Sequence, residues 1–535
     1  MYPASPAYPT FNSGGRSQQQ TVQSASVAAP VLGVQSNKSL YDMDPRECIY
    51  AYNILPREYG MAVRKGYYLF AEIDDGAEIR TVMEFPDGTN SKIFAVTNLG
   101  IYDITAGGTV AAGTKAYTWA FGGGKTGFCS YVFFSNSSGN HLLVCDEVNG
   151  YIKFDGAAWT AGGISGPIGG DEDLVHVCEY KERLWFTERD TGRAWYTTAG
   201  AITGTATAYE LGRKFTHGGY LRALYNWTID GGDGVDDYLL AVGDSGDLLV
   251  YSGIDPADAN SFSRIGNWYV GDLPAGRRVG SNFGGEFVLL CAGGLVSITK
   301  LLRGADIGDN TAYLTNNVAR LIRNVLESYS ASEGWHLTLS PEDNSLVITT
   351  PEAVTNLQFV MNLTTKAWGM TRNVPALCSM VYERELYFGD RSGTIWIQSG
   401  NTDSADVNGA DGDFIDWTLL SSYQNLGSPG ANKRMQLARP LFLTSGAPAY
   451  QIKAVYDFEL GEPAETGLVS PAFTNSLWGT GAWDDAVWGG PEVVTYVGAG
   501  TSGMGRYLAL ALRGRSLSTT EYAGADVLWD TGGLL

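Results

Sequence analysis

A β-hairpin that recurs along the chain restricts the fold more than any other feature. In "HLLVCDEVNGYIKF", residues 141–154, an apolar strand enters an Asn-Gly turn and an alternating strand leaves it. Asn149 and Gly150 both tolerate the positive φ of a type I′ turn, so the segment predicts a tight hairpin. Whether the hairpin stands alone or repeats decides which folds remain possible.

Five further segments repeat this pattern of apolar strand, short polar turn and second strand. Each turn closes on a glycine; the six are Gly100, Gly150, Gly192, Gly246, Gly293 and Gly393. Their spacing is about 40–55 residues, except for one gap of about twice that length, which holds another candidate strand pair before "NLTTKAW". The hairpin is therefore one unit of a repeat.

The repeat predicts a β-propeller over residues 92–400. Segments such as "VHVCEYKERLWF" and "CSMVYERELYF" add an upstream strand, so each unit holds at least three antiparallel strands. One such sheet cannot cover both of its faces, whereas sheets packed in a ring cover each other. We expect a mainly β fold with six or seven blades; the alternative is a sandwich of unrelated hairpins.

One segment within the repeats predicts a helix. "NTAYLTNNVARLIRNVLESYS" carries apolar residues at helical spacing, which predicts about 15 helical residues in an insertion at about 301–343. The candidate docking face consists of Leu314, Val318, Leu321 and Val325. A helix there is interpreted as a lid on the propeller or as a docking element for another subunit.

The two ends of the chain differ from the repeats. Residues 1–38 form a polar arm, and residues 39–91 hold a capped helix and entry strands. Asp44 as N-cap, Pro45 and Glu47 predict that this helix runs to about Asn53. Residues 401–535 predict a C-terminal antiparallel β domain that packs with the N-terminal segment. Its evenly spaced tryptophans, Trp478, Trp483 and Trp488, are interpreted as core rather than as sugar-stacking residues.

The charge balance argues against stable binding of nucleic acid. The net charge is −21, whereas nucleic-acid binders cluster Lys and Arg to release counterions. Acidic residues gather in loops, which are either a solvated surface or the wall of a channel that does not hold DNA. Calcium binding is a weaker alternative, because EF-hand spacing is missing. The candidates are Asp230, Asp233, Asp236, Asp237, Asp244 and Asp247.

The sequence offers no catalytic constellation, so neither an enzyme nor a cofactor is expected. "GDSGD", residues 243–247, resembles a protease nucleophile motif but falls at a repeat turn, without a histidine in a suitable context. The four histidines are scattered, and "WAFGGGKTG" lacks the first glycine of a phosphate-binding loop. The six cysteines lie in apolar strands and are interpreted as reduced thiols. No apolar run is long enough to insert in a membrane.

The order of motifs resembles that of the tail nozzle proteins of short-tailed bacteriophages, also called tail tubular protein B. The capped opening, the propeller hairpins, the inserted helix, "YQNLGSPGANKRMQLARPLFL" and "GAWDDAVWGG" follow one another over about residues 40–535. The residues that carry the resemblance are 43–45, Asn53, Pro56, 59–60, 64–67, 426–430, Lys433, 439–440 and 457–458.

The resemblance implies a structural virion protein. Nozzle subunits form a six-fold ring below the adaptor of the portal, close the DNA channel until infection, and present surfaces to tail fibres or spikes. The implied partners are therefore further copies of this chain, the tail adaptor, fibre or spike proteins, and passing double-stranded DNA without specific binding. The implied location is the virion tail, after synthesis in the host bacterial cytoplasm. The alternative is a carbohydrate-binding or glycan-cleaving propeller of a receptor-binding apparatus.

Overall fold

The chain is mainly β and folds into many small sheets. The computed structural model describes residues 22–534 apart from 168, 231–234, 306, 309, 352–353, 355, 447, 465–466, 470–492 and 496–497. Three predictions therefore fall outside the described residues: the first 21 residues of the arm, Asp233, and the tryptophan series. All six predicted hairpins lie within the described residues and are confirmed as antiparallel strand pairs.

Five consecutive segments each form one antiparallel sheet, named here sheets 1 to 5. Sheet 1 consists of Thr81–Phe85, Lys92–Val96, Gly100–Asp103 and Lys115–Thr118. Sheet 2 consists of Ser130–Asn136, Gly139–Asp146, Gly150–Phe154 and Trp159–Ala161. Sheet 3 consists of Leu174–Tyr180, Arg183–Glu188, Arg193–Tyr196 and Thr207–Glu210. Sheet 4 consists of Leu221–Asp230, Val235–Gly243, Asp247–Gly253 and Phe262–Tyr269. Sheet 5 consists of Gly280–Phe283, Glu286–Cys291 and Gly294–Ser297.

Two further sheets follow, and the second combines distant parts of the chain. Sheet 6 consists of His336–Ser340, Ser345–Thr349, Gln358–Asn362 and Trp368–Thr371. Sheet 7 consists of Cys378–Tyr382, Glu385–Gly389, Thr394–Gln398, Tyr68–Asp74 and Gly108–Ala111. Tyr68–Asp74 pairs antiparallel with Thr394–Gln398, so a strand that precedes sheet 1 completes the sheet that follows sheet 6.

Neighbouring sheets contact each other in chain order. First strands pack together between sheets 2 and 3, 3 and 4, 5 and 6, 6 and 7, and 7 and 1. Between sheets 1 and 2 and between sheets 4 and 5, the first strand of the earlier sheet contacts the second strand of the later sheet. A two-stranded parallel sheet, Ile164–Ser165 with Gly204–Thr205, lies beside sheets 2 and 3.

Both ends of the chain build a second layer, named here the platform. Its first sheet continues sheet 6 through Gly33–Val34, Glu47–Tyr52, Ile415–Ser421, Leu508–Ser516 and Ala449–Tyr456. Its second sheet consists of Val22–Ala28, Thr520–Leu534, Ala431–Thr444, Val493–Thr495, Ala499–Gly500, Met61–Val63 and Ile54–Pro56. One large apolar core extends from the platform into sheets 4, 5 and 6, so the two layers share buried surface.

The predicted capped helix at residues 44–53 is wrong. The Asp44 amide donates to the Glu47 carboxylate at 2.8 Å, as a capping box would, but the chain then extends as Glu47–Tyr52. Gly33–Val34 pairs with one edge of this strand and Ile415–Ser421 with the other. Pairing on both edges outweighs a weak local helix preference.

The predicted inserted helix is shorter than expected. A 3-10 turn, Asn316–Val318, leads into the α-helix Ala319–Tyr329, which has 11 residues. The predicted insertion at about 301–343 also overlaps the first strand of sheet 6. An unpredicted helix, Ile298–Leu302, begins where the Ser297 hydroxyl accepts from the Lys300 amide. The remaining 3-10 turns are Gly88–Asn90, Gly170–Asp173 and Gly212–Lys214.

The turn of the 141–154 hairpin differs from the predicted type I′ turn. Asp146 pairs with Gly150, so three residues separate the strands, and of Asn149 and Gly150 only the glycine has a positive φ, 70°. The buried Asp146 carboxylate accepts from the amides of Val148 and Asn149 at 3.0 and 2.8 Å. This side chain replaces the backbone pairing of a two-residue turn.

The six cysteines are buried and free, as predicted. Burial raises the pKa of each thiol, which keeps the sulfur protonated and unreactive at neutral pH. Among the described residues, no helix is long and apolar enough to cross a membrane.

Candidate functional site

A cavity of about 410 Å³ lies where the first strands of sheets 2 to 6 come together. Residues from these strands line it, together with Arg277 and Arg278 from the connection between sheets 4 and 5. Of the described residues that line it, Glu179 supplies the one carboxylate. A glycosidase needs two carboxylates flanking its substrate, and this lining does not provide them.

Arg277 joins three sheets at one end of the cavity. Its guanidinium Nε donates to Glu147 Oε1 at 2.5 Å, and a terminal nitrogen lies 3.4 Å from Thr187 Oγ1. The same nitrogen donates to the Arg222 carbonyl oxygen. Glu147 follows the second strand of sheet 2, Thr187 belongs to sheet 3 and Arg222 to sheet 4. Both side chains of the Arg277–Glu147 pair are buried, so the charge of Arg277 is compensated.

Arg278 contacts two sheets that Arg277 does not reach. Its guanidinium donates to Thr81 Oγ1 in sheet 1 at 3.2 Å and lies 5.8 Å from the centre of the Phe128 ring. Its carbonyl accepts from the Leu337 amide of sheet 6 at 3.2 Å. Among the residues that the structure describes, no carboxylate lies within salt-bridge distance of Arg278. Its charge therefore differs from that of Arg277 in having no acidic partner.

Two histidines line the same end of the cavity. His176 lies near the start of the first strand of sheet 3, and His336 begins the first strand of sheet 6. Burial, reinforced by the charge of Arg277, lowers the pKa of His176 to about 3. Burial and the charge of Arg278 lower the pKa of His336 well below its usual range. Both imidazoles are therefore neutral at pH 7.

The hydrogen bonds of the two histidines differ. His336 Nδ1 accepts from the Ser379 amide at 3.4 Å, which places the ring proton on Nε2. His176 packs edge-on against Tyr225, with ring centres 5.7 Å apart, and its Nδ1 is buried without a hydrogen-bond partner. A buried polar atom without a partner costs about 1–3 kcal/mol, so the His176 side chain has unused binding capacity.

The structure does not bring the predicted acidic residues together. The strand Val235–Gly243 separates Asp237 from Asp244 by seven residues, or roughly 23 Å at ~3.3 Å per residue. Asp230 and Asp236 belong to strands on the Asp237 side. Asp247 follows the turn on the Asp244 side. These acids therefore lie at two opposite ends of sheet 4, not on one wall.

Three of these acids are also engaged in local contacts. Asp237 pairs with Lys181 and accepts from Thr228 Oγ1 at 2.8 Å. Asp244 pairs with Arg222 at 2.7 Å. Asp247 is buried, and its carboxylate accepts from the His217 amide at 2.7 Å. The last two contacts also explain "GDSGD" as a turn, since its acids bind within this chain.

The predicted docking helix uses its apolar face inside the chain. Val318 is buried, and Leu314, Leu321 and Val325 are partly buried against the large core. The most buried helical positions are Ala319, Ile322 and Leu326, and each follows one of the predicted residues directly. Subunit docking through this helix stays a prediction, and its more exposed face is polar.

Little in the sequence predicts that these residues line one cavity. Arg277 and Arg278 appear as an adjacent pair in "LPAGRRVG", between two acid-rich segments, and that pair is the one available signal. His176 and His336 are 160 positions apart and meet only because sheets 3 and 6 line the same space. Among the described residues, no group of three metal-binding side chains is present.

Comparison with known proteins leaves the chain without a family. No family model matches it, and no curated protein matches it. Among solved structures it is similar to the computationally designed Ika8 protein, at 10% identity over 65% of this chain and 96% of that one, with a TM-score of 0.36. It is also similar to the extracellular domain of the putative one component system BT4673 from B. thetaiotaomicron, at 10% identity over 76% of this chain and 58% of that one, with a TM-score of 0.39.

A third similar structure is BBS1N in complex with ARL6DN. The identity is 12% over 64% of this chain and 99% of that one, with a TM-score of 0.36. Scores and identities at this level identify no function, so the interpretation of the chain depends on its own residues.

Proposed function

We propose that sheets 1 to 7 are the blades of a seven-bladed β-propeller. Each sheet contacts the next in chain order, and sheet 7 contacts sheet 1. The pairing of Tyr68–Asp74 with Thr394–Gln398 is how a ring of sheets joins its first and last parts. A ring needs such a junction because its terminal blades would otherwise present open edges.

We further propose that the chain is a structural, non-enzymatic virion protein, one subunit of a six-fold tail nozzle ring. The supporting observation is where the residues of the nozzle resemblance lie. They come from two segments more than 300 positions apart in sequence, and both segments lie in and beside the platform. Their contacts are buried and specific, as expected for residues that determine a scaffold rather than a catalytic site.

Asn53 and Arg64 form the first of these buried networks of hydrogen bonds. Asn53 adopts a φ of 60°, donates to the Asp416 carbonyl at 2.8 Å and accepts from Arg64 Nε at 3.0 Å. Arg64 in turn forms two hydrogen bonds with the Asp403 carboxylate, at 2.7 and 2.6 Å. The opening motif is thereby joined to the chain segment that follows sheet 7.

Lys433 and Asp457 form a second such network in the C-terminal part of the chain. The fully buried Lys433 ammonium donates to the carbonyls of Ser428, Ala431 and Arg506 at 2.6, 3.1 and 2.8 Å. Asp457 accepts from the Arg506 amide at 2.8 Å. A lysine that satisfies three carbonyls serves loop geometry, which supports a structural role for the motif.

Passing DNA would run between subunits and not through the propeller. The cavity between sheets 2 to 6 has a volume of about 410 Å³, which is the size of a small-molecule pocket and not of a duplex channel. Arg277 and Arg278 also occupy one end of that space. In a ring of six chains the conducting path lies on the symmetry axis, and the net charge of −21 disfavours retention of the polyanion there.

Electron microscopy of phage particles tests this proposal. Gold-labelled antibodies against the chain should mark the tail tip of the phage that encodes it. Particles assembled without the chain should keep portal and adaptor but lose their DNA. Mixing the purified protein with the tail adaptor should give six-fold rings in negative stain. Labelling elsewhere on the particle, or wild-type DNA retention without the chain, would contradict the nozzle role.

A further inference from the structure

We propose that the central cavity is a binding site for a small oxyanion, with Arg278 as the main charged contact and His176 and His336 as hydrogen-bonding contacts. The inference does not depend on the nozzle proposal, since it concerns a space within one chain. The ligand class is defined by chemistry shared by phosphates and carboxylates: negative charge on oxygen atoms that accept hydrogen bonds.

The uncompensated charge of Arg278 is the first observation. Arg277, the adjacent residue, has Glu147 as a buried partner, whereas Arg278 contacts a hydroxyl and an aromatic ring. The Arg278 side chain is partly exposed and lines the cavity, and the fork of donors on a guanidinium matches an oxyanion. The cavity beside it has room for such a partner.

The unused nitrogen of His176 is an independent second observation. The residue is 4% exposed, lines the cavity and has a buried Nδ1 without a partner. Depending on the tautomer, this atom donates to an anion directly or accepts from a protonated one. Asn226 also lines the cavity with a buried, unpartnered side-chain oxygen, and rotation of its amide presents NH₂ donors instead.

The charge distribution in the cavity places the anion at one end. His336 carries its ring proton on Nε2, and Arg277 and Arg278 line the cavity together with both histidines. The Glu179 carboxylate is three residues beyond His176 on the same strand, about 10 Å away at ~3.3 Å per residue. The arginine end is therefore suited to an oxyanion, and the Glu179 end is not.

Histidine NMR gives a direct test, because the chain has four histidines. The protein, labelled with ¹³C at histidine and held at constant ionic strength in chloride, is titrated separately with inorganic phosphate and with citrate. Binding should shift the His176 and His336 signals. His141 and His217 should not move, since His141 contacts Ser138 and His217 contacts Asp247, both away from the cavity. The two titrations distinguish a phosphate ligand from a carboxylate ligand.

Variants assign the binding to Arg278. Arg278→Gln should lower the affinity for the anion that binds at least tenfold, and Arg278→Lys should restore part of that affinity. Arg46→Gln, at an exposed ion pair with Asp44, is the matched control and should bind as the wild type does. Unchanged His217 and His141 signals show that each variant is folded. No shift with either anion, or equal affinity in Arg278→Gln, would overturn the proposal.

Discussion

At the scale of single residues, the hairpin turn at Gly150 requires glycine for two reasons. Its φ is 70°, and a Cβ there would lie 2.0 Å from the Asp171 carbonyl oxygen. Any side chain must therefore move the turn preceding sheet 3. The glycine of the repeat is explained by close approach to the neighbouring segment as well as by backbone conformation.

We expect Gly150→Ala to lower the free energy of unfolding by about 2–4 kcal/mol, because φ strain adds to the displacement of backbone. Gly113→Ala is the control, since Gly113 has an ordinary φ and nothing within 4 Å of the added carbon. That change should stay within about 0.5 kcal/mol. Urea unfolding measures both, and equal effects would show that the Asp171 contact is unimportant.

The buried histidines make stability depend on pH. The folded pKa of His176 is about 3 and that of His336 is also depressed, whereas an unfolded histidine titrates near ~6.5. Below pH ~6.5 the unfolded chain binds protons that the folded chain does not. Stability contributed by these groups is therefore complete above that pH and falls as the pH falls.

Between pH 7.5 and 5.5 His176 should cost about 1.4 kcal/mol of unfolding free energy, and His336 should add to this loss. The double variant His176→Gln, His336→Gln should lose correspondingly less on acidification. Gly113→Ala, which changes no titratable group, should retain the wild-type pH dependence. Urea midpoints in buffers free of phosphate and carboxylates give the comparison. Parallel pH curves for the wild type and the double variant would contradict the assignment.

At the scale of elements, the link between Arg64 and Asp403 joins the entry strand Met61–Val63 to the segment after sheet 7. The Arg64 side chain is 1% exposed and the Asp403 side chain 14%. Arg64→Gln should destabilise the fold by about 3–5 kcal/mol, because it leaves a largely buried carboxylate unpaired. Arg46→Gln, at an exposed pair, should leave the stability nearly unchanged, because solvent screens that pair. Thermal unfolding measures the difference, and similar losses would mean that Asp403 is adequately solvated.

The sequence predicted local elements well and their partners poorly. The hairpin strands followed from apolar alternation ended by Asp or Asn and Gly, which is local information. Glu47–Tyr52 was wrongly predicted as a helix because the strands on either side of it lie far away in sequence. Tyr68–Asp74 pairs with sheet 7, and Arg278 and His176 line the same cavity. Both arrangements depend on long-range contacts that composition and periodicity do not encode.

At the scale of the whole molecule, sheet 6 and the platform are continuous. Trp368–Thr371 ends sheet 6 and also pairs with Gly33–Val34 of the platform. Trp368 is fully buried at this junction, and its indole N–H donates to the Leu314 carbonyl at 3.0 Å. Because one sheet and one apolar core cross the boundary, neither layer can unfold without exposing the other.

We therefore expect the chain to unfold in a single calorimetric transition, although separate domains of this size usually give several. Trp368→Ala should lower stability by about 3–5 kcal/mol through the cavity it leaves, and should separate the transition into two. Trp396→Ala is the control, because Trp396 lies within sheet 7 away from the platform junction and should lower stability without splitting the transition. Two resolved transitions in the wild-type protein would show that the shared sheet does not couple the layers.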